Sequence, residues 1–201
     1  MIKIETQSLS KFKGGFMSEN SHHLILGELV DFLSGKTITD THDERYRQQI
    51  ARHLVNGLGF DKSDIEAGRQ ITIHTAGRSA VVNVDFLVYR NQRAVMMINY
   101  APGSLVTRRL STLALSRLIF DYQIPIVVVT NGQDAELISG KTGKVEGEGI
   151  FAIPGPDHPI ITSLPETFET VSAKMAGQAE KIVFACMVDG ACMMDDACDE
   201  C

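Results

Sequence analysis

Asp85 lies inside an apolar stretch, Val81-Val82-Asn83-Val84-Asp85-Phe86-Leu87-Val88-Tyr89, and a second apolar stretch, Ala94-Val95-Met96-Met97-Ile98-Asn99-Tyr100, follows within a few residues. A carboxylate in the middle of a buried strand is costly unless it is paired, hydrogen-bonded or bound to a cation, so its position points to a site. The layout suits a hairpin for metal-dependent phosphodiester hydrolysis, in which an acid on one strand faces an acid and a lysine on the next. Mg²⁺ takes hard oxygen ligands, commonly one or two carboxylates with water and phosphate, and a nearby lysine positions or activates the attacking water. The second stretch here holds neither an acid nor a lysine.

Register decides what Asp85 meets. A two-residue turn at Asn91-Gln92 places Asp85 opposite Ile98 and Asn83 opposite Tyr100. Alternation then puts Asp85, Ile98 and Tyr100 on one surface and turns Asn99 away. Ile98 cannot ligate a metal, and Tyr100 carries no positive charge at neutral pH. A three-residue turn over 91–93 would instead set Asn99 opposite Asp85, offering an amide oxygen as a substitute ligand. Glu44 is a second candidate carboxylate. It precedes Ala51 and Val55 by seven and eleven residues, so it shares their helix face toward the sheet. An acid in a first helical turn also stabilises the helix end, and both readings of Glu44 stand.

The surrounding pattern predicts the elements that must hold these residues. A short helix is expected from Gly27 through Leu33, stopped by Gly35. A longer one follows Thr41-His42-Asp43, with Thr41 or Asp43 as cap, an apolar stripe of Ile50, Ala51, Leu54, Val55 and Leu58, and a stop at Gly57 and Gly59. Strands are expected over 69–75, 81–89 and 94–100. An amphipathic helix starts at Ser104 or Thr107 and runs through Leu110, Leu113, Ala114, Arg117, Leu118 and Phe120. Ile126 to Thr130 is a continuous β-branched run, suited to a strand buried on both faces with a helix on each side. Another strand is expected at 135–138, a hairpin turn at Gly140-Lys141-Thr142-Gly143-Lys144, and a final helix from about Pro165 to Ala185. The order α-β-β-β-α-β-β-α predicts an α/β fold, a mixed sheet flanked by helices. Segment boundaries fall at 1–27 (no clear pattern), 28–160 (the main domain), 161–185 (the last helix) and 186–201 (a cysteine-rich tail).

Composition bounds the function. The 44% hydrophobic and 22% charged shares are those of a globular chain rather than a disordered one, and the net charge of −6 leaves any nucleic-acid contact to a local patch. No signal peptide or membrane-spanning run is legible, so a cytoplasmic location with reduced cysteines is expected and no membrane partner. All four cysteines, Cys186, Cys192, Cys198 and Cys201, fall in the last sixteen residues. Four thiolates can hold Zn²⁺ or an iron–sulfur cluster, although only Cys198 and Cys201 have a common ligand spacing. Unligated thiols are the plain alternative, and a disulfide is disfavoured in a reducing compartment. Arg108, Arg109 and Arg117 offer phosphate contacts or simply a solvated helix face.

The motifs together resemble the N-terminal domain of the restriction subunit of type I restriction enzymes, a PD-(D/E)xK nuclease family. The resemblance runs from about Gly27 to about Pro154. It is carried by Asp31-Phe32-Leu33-Ser34-Gly35-Lys36, Asp43-Glu44-Arg45-Tyr46-Arg47-Gln48, Val84 to Tyr89, Ala101-Pro102-Gly103 and Val129-Thr130-Asn131-Gly132. It implies a restriction-endonuclease-like fold with Glu44 and Asp85 as site carboxylates, and it sets Ile98 at the family's glutamate and Tyr100 at its lysine. The glutamine expected on the following helix is missing from 107–119. The implied protein is a stand-alone, degenerate nuclease domain that serves as a nucleic-acid-associated or partner-binding module. The alternatives are an active Mg²⁺-dependent endonuclease using Asn99 as a substitute group, and a Zn²⁺ or iron–sulfur accessory protein.

Overall fold

The structure is a computed structural model and describes residues 24–75 and 77–189. Its centre is a six-stranded sheet in the order β3-β4-β5-β6-β7-β8, formed by Ile65–Thr75, Arg78–Arg90, Arg93–Tyr100, Ile126–Thr130, Ala135–Ser139 and Val145–Glu148. All neighbours are antiparallel except β5 and β6, which run parallel and are joined through helix α2 (Val106–Ser116). A parallel pair requires such a crossover, because no tight turn can return the chain in the same direction. The chain is therefore a mixed α/β protein, as the element order predicts.

Two cores lie on opposite faces of this sheet. Helix α1 (His42–Arg52) packs one face through Ile50, Ala51 and, just beyond it, Leu54, against Phe86, Val88, Ile98, Tyr100, Ile126 and Val128. Helices α2 and α4 (Ala173–Val183) cover the other face, where Leu115, Ala179 and Val183 meet Val84, Leu87, Met97, Val127 and Val129. β6 is buried along its whole length and feeds both cores alternately, which is the two-sided burial its β-branched run predicts. Thr41 caps α1, its hydroxyl accepting the Glu44 N–H at 3.1 Å.

Several elements differ from expectation. The segment after Gly27 is not helical: β1 (Ile25–Val30) and β2 (Thr37–Thr41) form a separate antiparallel hairpin. Its turn is closed by Asp31, whose carboxylate accepts the Ser34 N–H at 2.6 Å, and by Gly35 at φ 72°. Short apolar runs read equally as helix or strand, and here turn chemistry decides. α2 stops at Ser116 rather than Phe120. The last helix begins only at Ala173, capped by Ser172, because Glu169 and Val171 hydrogen-bond to the backbone of Gln123 and Asp121 in an extended path. α4 continues as a π-helical segment, Phe184–Val188, and belongs to the same core as the sheet. The Gly140–Lys144 segment is a hairpin turn, as predicted, leading into β8. The short helix α3 (Pro159–Thr162) buries Ile161 against the α1-side core.

The β4–β5 turn consists of Asn91 and Gln92, at φ 49° and 63°. Two positive φ values match a type I′ turn, whose second position favours glycine. Gln92→Gly should therefore stabilise the protein by about 0.5–1 kcal/mol, read as a higher denaturation midpoint in urea with an unchanged slope. A lower midpoint would mean that the Gln92 side chain contributes more than its backbone costs.

Candidate functional site

α1 and the β1–β2 hairpin stand over one face of β3 and β4, and between them lies an open cleft of about 660 Å³. Asp31, Lys36, Glu44, Arg47, Gln48, Lys62, Gln70, Asn83 and Asp85 supply its polar lining. Glu44, Arg47 and Gln48 reach the same cleft because residues three and four apart share a helix face.

Asp85 sits at the floor, 7% exposed. Its Oδ1 accepts Arg47 Nε–H at 2.5 Å, its Oδ2 accepts the Tyr100 backbone N–H at 2.7 Å, and its own N–H donates to Asn99 Oδ1 at 3.2 Å. Burial pushes the Asp85 carboxyl above its usual range, and Arg47 and the Tyr100 amide pull it only part of the way back. Burial also opposes the charge on Arg47. Asp85, Glu44 and Asp43 more than offset this, so its pKa is raised and it stays a cation. Arg47 Nη1 lies 3.7 Å from Glu44 Oε2, so one guanidinium spans both candidate carboxylates. Gln48 ties the rim together. It donates to Asp31 Oδ2 at 2.7 Å and to Glu44 Oε1 at 2.9 Å, and accepts the Phe32 N–H at 2.7 Å.

The register is not the one expected from the turn alone. The turn has two residues, but a bulge follows: Tyr89 pairs with Ala94 while Val88 pairs with Met96. Val95 and Met96 consequently both face the α1-side core. Ile98 now lies opposite Phe86 rather than Asp85, and Asn99 reaches the Asp85 amide. The alternative pairing is realised, through a bulge instead of a longer turn. A second irregularity sits at Asp85 itself. Val82 and Val84 face the α2 side whereas Phe86 and Val88 face the α1 side, and opposite the break Gly68 adopts φ 68°. This kink separates Asp85 from strict alternation, and Arg47 of α1 meets it there.

Ile98 is fully buried in the α1-side core. Tyr100 stacks on Tyr46 with centroids 5.6 Å apart, and its hydroxyl donates to Asp43 Oδ1 at 3.2 Å. Burial and the Asp43 charge push the Tyr100 hydroxyl far up, so it stays neutral. A methyl group at Gly132 would lie 2.3 Å from Tyr46 Cδ1, so the loop after β6 is shaped to admit this stack. Among the described residues, no three His, Cys, Asp or Glu side chains lie close enough together to hold a metal. The donor set does not fit Mg²⁺: Asp85 has both oxygens engaged, Arg47 stands against Glu44, and Asn99, the β5 residue beside Asp85, offers only an amide oxygen that already accepts the Asp85 N–H.

The other predicted site residues lie elsewhere. Arg109 and Arg117 belong to α2 and its C-cap, and α2 packs the face opposite α1. Arg109 forms a two-pronged pair with Glu136, Nη2 to Oε1 at 2.5 Å, and Arg117 Nε donates to Gln123 Oε1 at 3.0 Å. Arg108 is engaged as well. None of the three lines the cleft. Cys186 is buried at 4% exposure on the π-helical segment and is disulfide-bonded, whereas Cys192, Cys198 and Cys201 lie outside the described residues. Among the described residues, no helix is long and apolar enough to cross a membrane.

Sequence reasoning did not single out Arg47, Gln48, Asp31, Lys36, Lys62 or Gln70 as lining the cleft. For Arg47 and Gln48 the signal was available, since they follow Glu44 by three and four residues. Asp31 gives a measurable pH dependence. Burial raises its pKa, but hydrogen bonds from Ser34 and Gln48 outweigh burial and hold it below the usual carboxylate range. Its contribution is thus present above the unfolded pKa and is lost as pH falls through the lower folded value. Asp31→Asn should cost about 1 kcal/mol at pH 6, partial exposure weakening the interaction. The gap to wild type in urea denaturation should close toward pH 3, and a constant gap would show that charge is not its origin.

No curated protein and no solved structure matches the chain. One family model matches, that of the type I restriction enzyme R protein N terminus, over residues 42–154. The match spans more than half of the chain, beginning at α1 and taking in the sheet, with the Asp31–Lys36 turn outside it. It includes Glu44, Asp85, Ile98 and Tyr100, and on this ground the chain belongs to the family of the type I restriction enzyme R protein N terminus.

Proposed function

We propose that this protein is a hydrolytically silent member of its family: a restriction-endonuclease-like, PD-(D/E)xK-derived domain that works as a nucleic-acid-associated or partner-binding module. The observation that carries the reading is the state of the Asp85 floor. One carboxylate oxygen holds Arg47 and the other holds the Tyr100 amide, while β5 carries no acid and no lysine: the residue beside Asp85 is Asn99, Ile98 is buried in the core and Tyr100 is neutral. Hydrolysis of a phosphodiester requires stabilisation of the charge developing on the phosphate and an activated water. Among the described residues the cleft offers no metal-binding trio, and the cation paired with Asp85 is Arg47.

Lys36, Lys62 and Arg47 in the cleft lining favour a polyanion at this local patch although the whole chain carries −6. Their count is matched by Asp31, Glu44 and Asp85, so any such contact is weak and salt-sensitive. The test is a plasmid nicking assay with Mg²⁺ or Mn²⁺, run beside Asp85→Asn. The expected result is no cleavage above background in either protein. Metal-dependent nicking by the wild type that Asp85→Asn abolishes would replace this reading by an active endonuclease with a rearranged site. DNA binding at physiological salt, weakened by Lys36→Ala/Lys62→Ala, would favour the nucleic-acid arm. Its absence would leave the protein-partner arm.

A further inference from the structure

The fit between the carboxylates of the cleft and a divalent ion fails for a specific reason, and the reason identifies a role for Arg47. Glu44 and Asp85 are the two acids that the helix and the strand direct toward one point. Arg47 bridges them, with Nε 2.5 Å from Asp85 Oδ1 and Nη1 3.7 Å from Glu44 Oε2, and with its guanidinium carbon 5.4 Å from the centroid of the Tyr100 ring. Tyr100 is in turn fixed by Tyr46 and Asp43.

The geometry points to Arg47 as the resident cation of this cleft: its guanidinium fills the place between Glu44 and Asp85 that a divalent ion would occupy, and so excludes metal from the native chain. The inference rests on the reading of the cleft as a remnant hydrolytic site, but its test is independent of cleavage. Three features favour the guanidinium. It is tethered three residues from Glu44, so it competes without loss of translational freedom. Its planar fork meets carboxylates through hydrogen bonds and its face is attracted to the Tyr100 ring, which a hydrated ion cannot reproduce. A divalent ion, conversely, must give up part of its hydration shell, and Asn99, the β5 residue beside Asp85, offers only an amide oxygen that already accepts the Asp85 N–H. Arg47 already offsets part of the negative charge that Glu44 and Asp85 present, which weakens the pull on a second cation.

Mn²⁺ titration by calorimetry decides the matter, using the full chain, Arg47→Met, and Arg47→Met combined with Asp85→Asn. Wild type should show no saturable Mn²⁺ binding that depends on Asp85. Arg47→Met should bind Mn²⁺ at least about tenfold tighter than wild type, and the added Asp85→Asn should remove that gain. Asp85-dependent Mn²⁺ binding by wild type would overturn the inference and needs no folded variant. So would an Arg47→Met protein with native circular dichroism and no gain in affinity. If wild type binds the ion yet does not cut DNA, this inference falls and the silent-domain reading stands. If wild type cuts DNA with the ion in an Asp85-dependent way, both fall together.

Discussion

The cost of keeping a charged carboxylate inside a β-sheet organises this structure. Asp85 lies in the middle of a strand whose neighbours are nearly all buried, away from the water that would otherwise solvate it. Removing such a group from water without partners is prohibitive, so the surrounding elements must bring donors to it. Arg47 comes from α1 and an N–H comes from β5, and each is delivered by a feature with no other evident purpose. The kink at Asp85, opposite the left-handed Gly68, takes the carboxylate out of strict alternation. The bulge at Val95-Met96 shifts β5 so that Asn99 accepts the Asp85 N–H.

The same constraint extends outward to the rim. Arg47 reaches Asp85 only if α1 holds its position, and α1 is held at several points. Leu54 and Ile50 seat it on the sheet, the Tyr46–Tyr100 stack fixes one end, and Gln48 links it to Asp31 of the β1–β2 turn. Asp40 of β2 adds a two-pronged pair with Arg45, both contacts at 2.7 Å. The hairpin is therefore continuous with the site although it pairs with no strand of the main sheet.

This explains what was and was not legible in the sequence. Burial on both faces of β6, the Thr41 cap, the Asn91-Gln92 turn and the suspect position of Asp85 all depend on local composition and are readable. The Asp85–Asn99 relation is not. A bulge depends on how two strands twist over their cores, and no residue type in Val95-Met96 announces it. The β1–β2 hairpin is not legible because Leu29, Val30, Phe32 and Leu33 suit either period, and the deciding Asp31 turn acts through hydrogen bonds across its own loop. Arg108, Arg109 and Arg117 looked available because sequence gives charge without partners. Glu136, from a strand two along in the order, cannot be foreseen from α2.

The Arg47–Asp85 pair has a physical reason to persist whatever the cleft does. Ile98 and Tyr100 each support the fold independently, Ile98 by apolar burial and Tyr100 by its stack on Tyr46, and either could be changed alone at a graded cost. Asp85 and Arg47 have no such route, because losing either alone leaves the other charged and uncompensated, at about 3–5 kcal/mol. That is comparable to a large part of the total stability of a domain this size. Only simultaneous replacement by apolar residues of matching volume would be neutral. Stability is thus reason enough for the pair to be kept, and the presence of Asp85 is by itself no argument for chemistry.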